Sequence, residues 1–127
     1  MWPREYAAGS DVNASSIVVR VSYGEFDAVL SGDADEKSQP YTTDSRHVEV
    51  FKVPHHGAKT AINKNYLDAL APEVSIISVG AKNIYGHPSA DTISLLKNIG
   101  SKVYRTDKNG TVEITSDGKS WEVKPEF

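Results

Sequence analysis

From Ser16 onward, short apolar runs alternate with polar breaks marked by glycine, asparagine or aspartate. Residues 16–23 (SIVVRVSY) are rich in β-branched side chains, Gly24-Glu25 interrupts them, and residues 26–30 (FDAVL) resume the pattern, which predicts a β-hairpin. Residues 48–53 (VEVFKV) predict a third strand and residues 74–79 (VSIISV) a buried fourth. Between them Asn63 is placed to cap a short helix over residues 64–70, with Tyr66, Leu67 and Leu70 on one face and Pro72 as its stop. A second helix starts at the N-cap Ser89, carries Asp91 in its first turn and a stripe of Ile93, Leu96 and Ile99, and ends at Gly100. Short strands at residues 102–105, 110–115 and 120–123 follow, with turns at 107–110 and 117–118. The polar segment 36–46, broken by Pro40, predicts a loop with one helical turn. The first 15 residues, punctuated by Pro, Gly, Ser and Asn, predict an irregular lead-in, and nothing supports use of the Asn13-Ala14-Ser15 sequon. Strands alternating with helices, and hairpins at both ends, predict a single α/β domain over residues 16–127 with a mixed sheet and about two helices.

Composition narrows the function. The 127 residues, 39% of them apolar, suffice for one small domain or part of a larger one. Lys plus Arg number 14 against 17 Asp plus Glu, so a net charge of -3 excludes a broad basic footprint for nucleic acid and leaves only a local site for such a role. Without cysteine there are no disulfides or thiolate ligands, and a metal would have to be held by His, Asp or Glu. No apolar run approaches the roughly 18 residues of a membrane span, and the opening residues lack the apolar centre of a signal peptide.

Three loops that follow predicted strands carry metal-competent side chains: Asp33 in SGDAD, His55 and His56 in PHHG, and His87 in YGHP. In α/β sheets, ligands gather at the carboxyl ends of strands, so these loops could share one crevice. Imidazole and carboxylate suit zinc, manganese or iron. Each residue taken singly also has a plainer use: Asp33 as a turn residue, the paired histidines as polar loop residues, His87 as a helix-entry residue. His47 reads as a surface residue, Lys52 and Lys59 as solvated, and Tyr85 as packing.

The order of the motifs is more specific than any one of them. Asn13, the run Ser16-Ile17-Val18-Val19-Arg20, Tyr23-Gly24, Gly32-Asp33-Ala34, Lys52-Val53-Pro54-His55-His56-Gly57, Ser78-Val79-Gly80, Asn83, Tyr85-Gly86-His87-Pro88 and Val103-Tyr104-Arg105-Thr106-Asp107, with Trp2-Pro3 ahead of them, resemble the metallo-β-lactamase-like domain of ComEC-type DNA-uptake proteins. The resemblance spans nearly the whole chain and implies the second, C-terminal half of an αβ/βα sandwich, since the H-x-H-x-D-H motif of the family's first half is absent. It implies a nuclease or phosphodiesterase acting on DNA during uptake, through metal-activated hydroxide attack on a phosphodiester. By motif, Asp33 would bridge two cations, zinc or manganese, in the complete domain. Either His55 or His56 would be a further ligand; His56 is favoured, with His55 supporting the ligands from behind or contacting phosphate. His87 would lie at the rim, able to contact a phosphate or protonate a leaving oxygen. The expected partners are DNA and the missing half of the domain, or a second copy across an exposed sheet face. The expected setting is an extracytoplasmic soluble domain of a bacterial membrane protein, and the segment alone is expected to be inactive and to hold metal weakly or not at all. Two departures stand out: Ala58 where the family commonly has serine, and the polar 36–46 segment in place of an amphipathic helix, which predicts loose support for Asp33. The alternatives are a non-catalytic binding or dimerisation module and a hydrolase of the same superfamily with another substrate, such as a phosphocholine ester or a lactone.

Overall fold

The computed structural model describes residues 12–39 and 44–127. Residues 1–11, with the Trp2-Pro3 motif and most of the lead-in, and residues 40–43, with Pro40, lie outside the described part. Seven strands and three helices follow in chain order: β1 (Val19–Tyr23), β2 (Phe26–Leu30), β3 (Val50–Lys52), α1 (Lys64–Leu70), β4 (Val74–Ile77), α2 (Ala90–Asn98), β5 (Lys102–Arg105), α3 (Thr106–Asn109), β6 (Val112–Ser116) and β7 (Trp121–Pro125). The sheet is mixed: β1 to β5 lie in chain order, with β1–β2 antiparallel and every later pair parallel. β6 and β7 form a separate antiparallel hairpin.

Side chains alternate across a strand, so each strand feeds two cores. One face carries Val29, Phe51 and Ile77 against Tyr66, Leu67 and Leu70 of α1 and Leu96 of α2. The other carries Phe26, Val50, Val74 and Tyr104 against Val112, Ile114, Trp121 and Val123 of the β6–β7 hairpin. Phe26 and Trp121 meet with ring centroids 6.0 Å apart. The turn of this hairpin reaches the β1–β2 turn, where the Gly118 carbonyl accepts from the Glu25 amide at 2.6 Å, while Val21, Tyr23 and Leu30 on that face stay exposed.

Both anticipated helices form with the expected caps. Asn63 Oδ1 accepts from the Tyr66 amide at 3.1 Å, and Ser89 Oγ from the Thr92 amide at 3.1 Å. β1, β3 and β4 are shorter than the apolar runs that announce them, because a ladder lasts only as long as its partner, while β2 and β5 span the predicted residues. Val53 and Val79 are buried but lie beyond β3 and β4, where the chain turns towards the loops. Two differences concern structure read as loop. Residues Thr106–Asn109 make a short helix rather than a turn, and Val12–Ser15 make a 3-10 turn within the predicted irregular lead-in. The third concerns the support of Asp33. Gln39 is buried, donates to the carbonyls of Ala34 and Ala61 and accepts from the Asn63 amide at 2.8 Å. That side chain ties the loop after β2 to the entry of α1, so the polar composition of this segment does not mean loose attachment.

Candidate functional site

The loops that follow β2, β3 and β4 lie side by side because those strands are adjacent and parallel. Backbone hydrogen bonds then join them. The His55 amide donates to the Gly32 carbonyl at 3.1 Å, coupling the Asp33 turn to the histidine loop, and the Ser89 amide donates to the Gly57 carbonyl at 2.8 Å, coupling that loop to the start of α2. His55, His56 and Gly57 all take left-handed backbone, with φ of 48°, 53° and 75°. Left-handed geometry disfavours residues with a Cβ by roughly 1–2 kcal/mol each, so two consecutive histidines in it are held there by the surrounding contacts. At Gly57 a Cβ would lie 2.7 Å from Cβ of Pro88, so only glycine lets the second and third loops close on one another.

This arrangement gathers the three site histidines. The rings of His55 and His87 lie 5.8 Å apart and those of His55 and His56 6.4 Å apart. His56 Nδ1 is 2.7 Å from the Ser78 carbonyl. A carbonyl only accepts, so Nδ1 carries the proton and the Nε2 lone pair is left free, the orientation typical of an imidazole that binds a cation. His87 is held through its backbone by Asn83, whose Oδ1 accepts from the His87 amide at 2.9 Å and whose Nδ2 donates to the carbonyls of His87 and Gly80 at 2.8 and 2.9 Å. Burial, then the neighbouring His55 and His56, hold the His87 imidazole below its ordinary pKa and favour its neutral form.

Asp33 is half-buried in the turn after β2. Lys52 at the end of β3 is not solvated as its sequence context suggests. Burial lowers its pKa, the Asp33 carboxylate partly offsets this, and the ammonium donates to the Val53 carbonyl at 3.1 Å. Two residues before Asp33, the buried Ser31 hydroxyl has no hydrogen-bond partner among the described residues. Tyr85 is not packed either: it is 75% exposed and lies nearly parallel to the His87 ring, at 5.8 Å and 18°. A cavity of about 160 Å³ opens there, lined by His56, Val79, Gly80, Asn83, Tyr85 and His87.

The donor set fits a cation in part. His56 is oriented to offer Nε2, but among the described residues no three of Asp33, His55, His56 and His87 bring donor atoms within 4.8 Å of one another. The three that do are His47, Glu49 and Glu73, around the opposite, amino ends of β3 and β4. There His47 Nε2 lies 3.6 Å from Glu49 and 3.8 Å from Glu73, which is ordinary ion-pair geometry on a largely exposed surface. Sequence reasoning quoted Lys52, Ser78 and Asn83 among the motifs but gave them no part in the site. Asn83 carried a local signal as well, as an asparagine shortly before a Gly-His-Pro turn that its side chain could pin.

No family model matches the chain. Curated relatives do: it is 33% identical over 104 residues to ComE operon protein 3 of Bacillus subtilis, 30% over 108 residues to competence protein ComA of Neisseria gonorrhoeae, and 32% over 103 residues to recombination protein 2 of Haemophilus influenzae. These alignments cover 80%, 82% and 80% of the chain but only 13%, 16% and 13% of the respective relatives, so the chain spans a small part of their length. The similarity supports a ComEC-type competence family.

Proposed function

We propose that the chain is the second half of a metallo-β-lactamase-like domain in a DNA-uptake protein, and that its three-loop site handles a DNA phosphodiester. The observation that carries this reading is the junction of the three loops. Backbone hydrogen bonds from the His55 amide to the Gly32 carbonyl and from the Ser89 amide to the Gly57 carbonyl hold the loops bearing Asp33, His55, His56 and His87 at the carboxyl ends of three parallel strands, and His56 spends only Nδ1, on the Ser78 carbonyl.

Within that site His56, with Nδ1 engaged, offers Nε2 as a metal ligand, and Asp33 is assigned the carboxylate ligand. A divalent cation, when bound, supplies Lewis-acid polarisation of a phosphoryl oxygen. His55, half-buried between the other two rings, is placed to donate to a phosphate oxygen. His87 in its neutral form suits hydrogen bonding or proton acceptance rather than charge pairing with phosphate. Lys52 brings a cation to the Asp33 side of the site and balances the carboxylate.

The donor set is incomplete without further polypeptide, so the isolated chain should show no phosphodiesterase turnover and bind Zn or Mn weakly. The test is a metal titration of the parent chain and its Asp33→Ala, His56→Ala and His47→Ala variants. Binding weakened by the first two changes and indifferent to the third supports the assignment. Binding that follows His47 alone would move the metal to the other end of the sheet and remove the reading.

Exposed Val21, Tyr23 and Leu30 favour a docking role for the uncovered part of the sheet. The remaining polypeptide of the parent protein is the proposed occupant. A second copy of this chain is the alternative, which light scattering would reveal as a dimer.

A further inference from the structure

We propose that Tyr85 is a stacking platform for one unpaired base of a DNA strand, so that the site takes single-stranded rather than duplex DNA. This rests on the phosphodiester reading above and deepens it. Tyr85 and Ile84 are 75% and 90% exposed, adjacent, and at the tip of a loop that Asn83 pins through three hydrogen bonds. A single exposed apolar side chain is ordinary. A ring held outward by a fixed loop, nearly parallel to a site imidazole at 5.8 Å, is an oriented surface with one face available.

The cavity beside it sets the size of the guest. Its volume of about 160 Å³ is well under the roughly 300–1,000 Å³ of pockets that enclose a whole small-molecule ligand. It therefore suits one flat group of a polymer whose remainder lies outside. His56 and His87 line the same cavity, so a base resting on Tyr85 places its own phosphate against the imidazoles.

Charge points the same way. With a net charge of -3 the chain has no broad basic surface for the counterion release that dominates duplex binding, whereas stacking on an aromatic ring adds affinity that does not depend on charge. A paired base hides its faces in the duplex stack; an unpaired one exposes them.

The experiment measures binding of the 127-residue chain to a fluorescent single-stranded DNA oligonucleotide, to the same sequence as a duplex, and to a strand of abasic residues. The parent is compared with Tyr85→Ala and Tyr85→Phe, with circular dichroism confirming the fold. Alanine substitution at stacked positions costs about 1–3 kcal/mol, so Tyr85→Ala should bind the single strand about 5- to 150-fold more weakly. Tyr85→Phe should keep parental affinity, and the parent should bind the abasic strand and the duplex as weakly as Tyr85→Ala binds the single strand. Parental affinity in Tyr85→Ala, or equal binding of abasic and normal strands, overturns the platform while leaving the phosphate site standing. A parent that binds no DNA overturns the phosphodiester reading, and the platform with it.

Discussion

The two ends of the central sheet use the same residue types in opposite ways. At the amino ends of the parallel strands, charge is spent on structure. Arg20, with a side chain 12% exposed, reaches Asp27 at 3.0 Å, Asp44 at 3.3 Å and the carbonyls of Arg46 and His47 at 3.1 and 2.7 Å, while Arg46 pairs with the same Asp44 at 2.7 Å and His47 lies 3.6 Å from Glu49. At the carboxyl ends the backbone does the holding, and Asp33, His56 and the rings of His55 and His87 make no ion pair within 4.0 Å among the described residues. Side chains freed from holding the loops can meet a ligand. Those locked in a guanidinium network cannot without breaking it.

The contrast can be broken first at Gly57. Gly57→Ala should cost about 2–4 kcal/mol in urea unfolding, from the left-handed backbone and the overlap with Pro88. A loss below about 0.5 kcal/mol, the usual size of a neutral surface change, would show that the loops are not locked together. Next, Arg20→Ala should cost about 1–3 kcal/mol by leaving charged acceptors unpaired. Metal titration should be unchanged in this variant; a concurrent loss of metal binding would mean that the two ends are not independent.

Strong acid should act on the amino end through its paired carboxylates. Hydrogen bonding to Arg46 holds the Asp44 carboxyl at about 2, and Arg20 lowers Asp27. Because both folded values lie below the unfolded value of 3.8, their stabilisation is complete well above pH 3.8 and is lost as pH falls towards 2. Melting temperature followed from pH 6 to 2 should fall over that window, and more shallowly in Arg20→Ala; parallel curves would remove the network from the account.

The smallest effect belongs to the site side chains. His56→Ala should cost about 0.5–1.5 kcal/mol, the usual worth of the hydrogen bond it loses to the Ser78 carbonyl. It should also raise the His87 pKa in an NMR titration, because one imidazole that opposes its protonation is gone. In the parent, protonating His87 works against folding: the folded pKa lies below the unfolded 6.5, so its contribution is present above 6.5 and declines as pH drops through that value. An unmoved His87 pKa in the variant would separate the two rings electrostatically.

Much of the fold was legible because its signals are local. Asn63 and Ser89 cap their helices through bonds spanning three residues, and β-branched runs announced every strand of the main sheet. Site legibility was uneven. Asp33, His55, His56 and His87 could be singled out by residue type and loop position, yet a string of residues could not show that Lys52 would be half-buried or Tyr85 exposed. Nor could it show that Gln39, in a segment read as a polar loop, would be buried and tie two loops together.

By itself, the sequence determined the alternation of strands and helices, the absence of thiol chemistry, the acidic balance and the histidine-bearing loops, since these depend on residue type and near neighbours along the chain. Tertiary structure alone decided which histidine nitrogen is free, which carboxylates meet cations, and which aromatic ring faces water. Those outcomes depend on groups tens of residues apart that only the order of β2, β3 and β4 in the sheet brings within hydrogen-bonding reach.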